Sequence, residues 1–130
     1  MGQENPFAKR VVLIVEDDPL LRMTAVDVVE DAGLDAIEAS DADEAMGILE
    51  SRNDISVLFT DIDMPGSMNG VELAHWARSS AMPIGIVLTS GHHKLGDDAL
   101  PVESVFFPKP YDFDTVVHML KSIPILDASH

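Results

Sequence analysis

The stretch "SVLFTDIDMPGSMNG", residues Ser56 to Gly70, sets two carboxylates, Asp61 and Asp63, one residue apart between an apolar run and a loop rich in Pro and Gly. Such acids can hold a hard cation through oxygen, or one of them can attack phosphorus and carry the resulting acyl phosphate. Three readings compete: a calcium loop, the nucleophile of a phosphatase, and an acid that receives a phosphoryl group. Other apolar runs also end in reactive groups. Glu16, Asp17 and Asp18 follow Val11 to Val15, Thr89 and Ser90 close the run from Ile84, and Lys109 follows Val105 to Phe107. Phosphoryl transfer needs little from a protein beyond in-line positioning and charge neutralisation, which carboxylates around a cation, a hydroxyl and an ammonium can supply.

The elements that must position these groups are legible in the pattern. Val11 to Val15 is a β-rich run without alternation, as expected of a strand covered on both faces. Asp18 is a plausible N-cap with Pro19 at the first helical position, and Leu21, Ala25, Val28, Val29 and Ala32 recur at helical spacing until Gly33. Leu34 to Ala39 is the second strand; Ser40 or Asp41 then caps a helix carrying Ala42, Ala45, Met46 and Leu49. Ile55 to Thr60 is the third strand, and beyond the loop Gly70 leads into a helix with Leu73, Ala74 and Ala77 on one side. Ile84 to Thr89 is the fourth strand, between Pro83 and Gly91. His92 to Ser104 has weak periodicity and predicts a short or irregular fourth helix. Val105 to Phe107 is the fifth strand, and Phe113, Val116, Val117 and Leu120 mark the last helix. Strands alternating with helices predict an α/β fold, a doubly wound five-stranded parallel sheet with helices on both faces.

In such sheets chemistry gathers at the carboxyl ends of the strands, near the point where strand order reverses. In the common order 2-1-3-4-5 the first and third strands are neighbours, which sets Glu16 and Asp17 beside Asp61. Carboxylates about 4 Å apart repel by roughly 4 kcal/mol per pair at an effective dielectric near 20. A divalent cation offsets that, and an all-oxygen ligand set favours magnesium or manganese over zinc. Lys109 adds a point charge suited to a phosphoryl oxygen.

Composition limits the function further. The 130 residues suit one domain, and the absence of cysteine excludes disulfides and thiolate zinc sites while fitting a reducing compartment. With 23 acidic and 8 basic residues the formal charge is −15, which repels nucleic-acid phosphates and anionic membranes. No secretory segment or membrane-spanning run is visible, so a cytoplasmic location is expected.

The rivals fail on context. Asp61, Asp63, Gly66 and Glu72 match positions one, three, six and twelve of an EF-hand, but Pro65 occupies a ligand position and a buried strand stands where a helix must enter. Asp61-Ile62-Asp63 also looks like the start of a haloacid-dehalogenase-type phosphatase. That family's strand is normally the first of its core, and its later acid pair is missing, since Gly96-Asp97 is followed by Pro101. His92-His93, without a third ligand, reads as a solvent-exposed pair, and His75 and Trp76 as helix residues with the indole partly packed.

At this point the chain resembles a response-regulator receiver domain, the flavodoxin-like fold of two-component systems. The resemblance rests on "VVLIVEDDPLLR", "LFTDIDMPGSMNGVELA", "IVLTSG" and "FFPKPYD". It covers residues 10–123, leaving 1–9 as a flexible N-terminal segment and 124–130 as a tail. It implies that Asp61 is the phosphoacceptor, that Glu16 and Asp17 hold magnesium with Asp17 as the direct ligand, and that the backbone carbonyl of Asp63 completes the protein ligands. Thr89 is then the switch hydroxyl, Ser90 offers a backbone N–H, Lys109 pairs with phosphate, Lys109-Pro110 is a cis peptide, and Phe106 is the mobile aromatic. Here Phe106 lacks a tyrosine hydroxyl, Asp63 adds a charge, and the loop Gly66 to Asn69 is one residue longer than usual.

The implied protein is a stand-alone receiver, not an enzyme in the usual sense. A histidine kinase or histidine phosphotransfer protein donates to it, and a downstream protein reads it, with a monomer or weak phosphorylation-dependent dimer expected. A module of a hybrid histidine kinase or larger regulator is the alternative, and a non-phosphorylated docking module stands behind both.

Overall fold

The unalternating apolar runs form strands buried on both faces. The structure, a computed structural model, describes residues 9–91 and 100–125. Strands β1 (Val11–Val15), β2 (Asp35–Ala39), β3 (Val57–Asp61), β4 (Gly85–Ser90) and β5 (Ser104–Pro108) form one parallel sheet in the order β2-β1-β3-β4-β5. Helices α1 (Pro19–Asp31), α2 (Ala42–Ser51) and α3 (Gly70–Ser79) link successive strands, and α4 (Phe113–Ser122) follows β5. The expected fold class and strand order are present. Most of the expected irregular helix over 92–104, the pair His92-His93, and parts of both ends lie outside the described residues.

Period-two alternation sorts each strand's side chains between two cores. Val12, Ile14, Val57, Phe59 and Val87 meet α1 and α4 through Ala25, Val29, Val116 and Leu120. Leu13, Val15, Leu58, Ile86 and Leu88 meet α2 and α3 through Ala45, Leu49, Leu73 and Ala77. Each fully buried side chain of this size contributes about 1.5–3 kcal/mol. Leu21, expected on the buried stripe of α1, is 47 % exposed. Leu21 borders a cavity that it shares with Val15 and Glu16 at the end of β1.

Caps fix where the helices begin, and so how the loops leave the strands. Asp18 accepts from the amides of Leu20 (2.9 Å) and Leu21 (3.4 Å). Asp41, not Ser40, caps α2 by accepting from Glu44 N at 2.8 Å, while Glu44 reaches back to the Ser40 amide at 2.7 Å. Asn69 and Glu72 form a reciprocal capping box on α3, both bonds 2.9 Å. At Gly70 a Cβ would collide with the carbonyl oxygen of Asp61 and come within 2.9 Å of Ile62 Cα. The first turn of α3 thus rests directly on the backbone at the end of β3. Among the described residues no helix is long and apolar enough to cross a membrane.

Candidate functional site

The parallel register brings the polar ends of the strands to one edge of the sheet. Asp61, the last residue of β3, lies opposite Thr89 on β4. Beyond the strand ends the Ile62 amide donates to the Thr89 carbonyl at 2.8 Å, and the Lys109 amide to the Ser90 carbonyl at 2.9 Å. On the other side the Glu16 amide donates to the Ala39 carbonyl at 3.1 Å, which ends the β1–β2 ladder and turns the chain into Asp17. Glu16, Asp61, Thr89 and Ser90 are buried and Asp17 is exposed. Lys109 is followed by a cis peptide to Pro110.

The Lys109 ammonium bridges the two buried acids, with Nζ 3.3 Å from Asp61 Oδ2 and 3.4 Å from Glu16 Oε2. Burial pushes the Asp61 carboxyl above its usual range, against the pull of Lys109 and the Asp63 amide. Burial also raises Glu16, aided by repulsion from Asp61 and opposed by the Asp18 amide and Lys109. Lys109 loses hydration too, but attraction from Asp61 and Glu16 outweighs this and lifts its pKa. Each acid holds a further donor: the Asp18 amide on Glu16 Oε1 at 3.1 Å, and the Asp63 amide on Asp61 Oδ1 at 3.3 Å.

Carboxylate oxygens of Glu16, Asp17 and Asp61 all lie within 4.8 Å of one another. Three carboxylates against one ammonium leave two negative charges when all are ionised, the charge that one divalent ion offsets. The donor set is all oxygen and includes an exposed member open to solvent, which fits magnesium better than a softer metal. The Asp63 carboxylate faces elsewhere, accepting from Ser90 Oγ at 2.6 Å. Phe106, opposite Leu88, is half-buried against the α2–α3 core.

Some features were not apparent from residue types. A cavity of about 370 Å³ opens between α1 and the loop after β5, with Glu16, Asp61, Thr89 and Lys109 among its polar lining and Phe59 and Tyr111 among its apolar lining. Tyr111 packs edge-on against Phe59 and Phe113, at centroid distances of 6.1 and 5.3 Å, and burial raises its hydroxyl pKa. Arg22 reaches from α1 to the Glu16 carbonyl at 2.8 Å. The available signal was its place at the end of "EDDPLLR", one helical turn after Asp18.

The family model of the response regulator receiver domain matches residues 12–121. The chain belongs to this family, whose members act as receivers in two-component systems, typically as phosphoacceptor switches rather than true enzymes. Receiver domains bind magnesium at an acidic pocket. The chain is 34 % identical over 104 residues to the aerobic respiration control protein ArcA of Escherichia coli, covering 78 % of this chain and 42 % of that protein. It is 29 % identical over 110 residues to the nitrogen assimilation regulatory protein NtrX of Azorhizobium caulinodans, covering 82 % and 24 %. To the sensor kinase CckA of Brucella abortus it is 29 % identical over 119 residues, covering 86 % and 12 %. The chain thus spans less than half the length of each.

Among solved structures, the receiver domain from hybrid histidine kinase CckA is 29 % identical with a TM-score of 0.72, covering 85 % of this chain and 95 % of that one. A response regulator receiver protein from Sinorhizobium medicae superposes at a TM-score of 0.81 and 24 % identity, covering 87 % and 92 %, a likeness of fold.

Proposed function

We propose that this chain receives a phosphoryl group on Asp61 from a phosphohistidine of a histidine kinase or a histidine phosphotransfer protein, and relays the change to a downstream protein in the cytoplasm. The observation that carries this reading is the 3.3 Å distance between Lys109 Nζ and Asp61 Oδ2 beside the three-carboxylate cluster. An Asp61 oxygen attacks phosphorus in line, a P–O bond forms as the donor's P–N bond breaks, and the electron pair stays on the leaving imidazole.

Asp17 is the direct magnesium ligand, with the Asp61 carboxylate and the Asp63 backbone carbonyl, and Glu16 supports the set; manganese is the alternative. The cation, when bound, neutralises charge on the transferring group. Lys109 pairs with one phosphoryl oxygen and the Ser90 backbone N–H donates to another. The Thr89 hydroxyl turns toward the group, and Phe106 follows by packing alone, giving a two-state switch that reverses by slow hydrolysis of the acyl phosphate.

The chain acts alone or as one module of a longer protein. Incubation with acetyl phosphate and magnesium is the test. The expected result is a mass increase of one phosphoryl group, lost in Asp61→Asn. No increment, or a label surviving that substitution, overturns the reading. Multiple-turnover release of phosphate from unrelated esters indicates a phosphatase instead.

A further inference from the structure

Asp17 is the exposed member of the carboxylate cluster, and among the described residues no side chain hydrogen-bonds to it. Its place depends on the backbone of the turn between β1 and α1. That turn is held at Asp18 by the bond from its amide to Glu16 Oε1 and by its capping bonds to α1. At Glu16 the strand ladder has ended, and the carbonyl of this buried residue needs a donor that the sheet no longer supplies. Arg22 meets that need: Nη1 donates to the Glu16 carbonyl at 2.8 Å while Nε donates to Glu38 Oε1 on β2 at 3.0 Å. The Arg22 side chain is only 19 % exposed, so one guanidinium fork joins α1, β2 and the end of β1.

Resting on the phosphoacceptor reading above, we infer that Arg22 is a positioning residue for the cation: by gripping the Glu16 carbonyl it fixes the turn that presents Asp17. The sign of the effect separates positioning from electrostatics. A positive charge near a dication site weakens binding by Coulomb's law, so its removal alone tightens binding. If Arg22 positions the turn, its removal loosens binding despite the lost repulsion.

The test is calorimetric titration of the full chain with magnesium chloride, together with the metal-free melting temperature of each variant. Arg22→Met keeps the apolar stem and removes both donors; the expected loss is about ten-fold in affinity, as for outer-shell partners of metal ligands. Arg22→Lys, able to restore one bond, falls between. Glu38→Gln, which keeps the acceptor oxygen on an exposed side chain, stays within two-fold of the parent. Arg22→Met binding as tightly as the parent, or more tightly, overturns the inference; if that variant does not fold, Arg22→Lys decides by the same criterion. A parent chain that binds no magnesium overturns the phosphoacceptor reading itself, a result distinct from a parent that binds and an Arg22 variant that binds equally well.

Discussion

Ionising Asp61 and Glu16 comes at a cost to the fold, since burial raises the pKa of both and repulsion from Asp61 adds to the rise at Glu16. An acid whose folded pKa exceeds its unfolded value binds more protons folded, so without metal its penalty is full above the folded value. The penalty fades as pH falls toward the ordinary carboxylate value of about 4. Asp61→Asn removes one such acid and is expected to raise the metal-free melting temperature by a few degrees, read by calorimetry at pH 7. Lys109 works in the opposite sense: its raised pKa contributes stability that is full below about 10.4 and is lost as pH rises through the folded value. Lys109→Met leaves two buried carboxylates without their shared cation and is expected to cost about 1–3 kcal/mol in urea unfolding. The types at these positions are legible in the sequence because each ends an apolar run. The Ser90–Asp63 bond and the grip of Arg22 are not, since they depend on where side chains from separate elements point.

Helix α3 shows how one backbone position conditions the cluster. Gly70 lacks a side chain because its first turn touches the Asp61 and Ile62 backbone. Gly70→Ala is expected to destabilise by about 1–3 kcal/mol, as overpacking does, and to weaken magnesium binding by displacing the Asp61 peptide. Both follow from urea unfolding and calorimetric titration of the same variant. Asn69→Ala breaks the capping box and is expected to cost about 1 kcal/mol with little change in magnesium affinity. The helix itself is legible from Leu73, Ala74 and Ala77, and Gly70 as its lead-in. Its cap is not, because residues 62–69 have no periodicity and hold several residues able to cap. Leu21 misleads for a related reason: helical spacing identifies a face but not that a cavity lies against its first turn.

As a charged body the chain carries −15 spread over 130 residues, so any salt relieves some repulsion. Site binding is separated from that background by comparing magnesium with sodium chloride at equal ionic strength. Magnesium is expected to raise the melting temperature further, and Asp17→Asn to remove most of the difference. The parallel sheet is legible because strand and helix patterns alternate along the chain, and central β1 and β3 lack alternation because both faces are covered. Edge strand β2, with Asp35 and Glu38 exposed, carries the weaker signal. The cavity beside Tyr111 leaves no such trace, being a gap between a helix turn and a loop distant in sequence. The contact at Gly70 also has a mechanical consequence. Behind Asp61 stands unyielding main chain; ahead lie the side chains of Thr89, Ser90 and Lys109. Main chain packed on main chain cannot yield by changing a rotamer, so any displacement of the Asp61 peptide toward α3 has to shift the first turn of that helix, and the stiffness of this joint comes from a residue with no side chain at all.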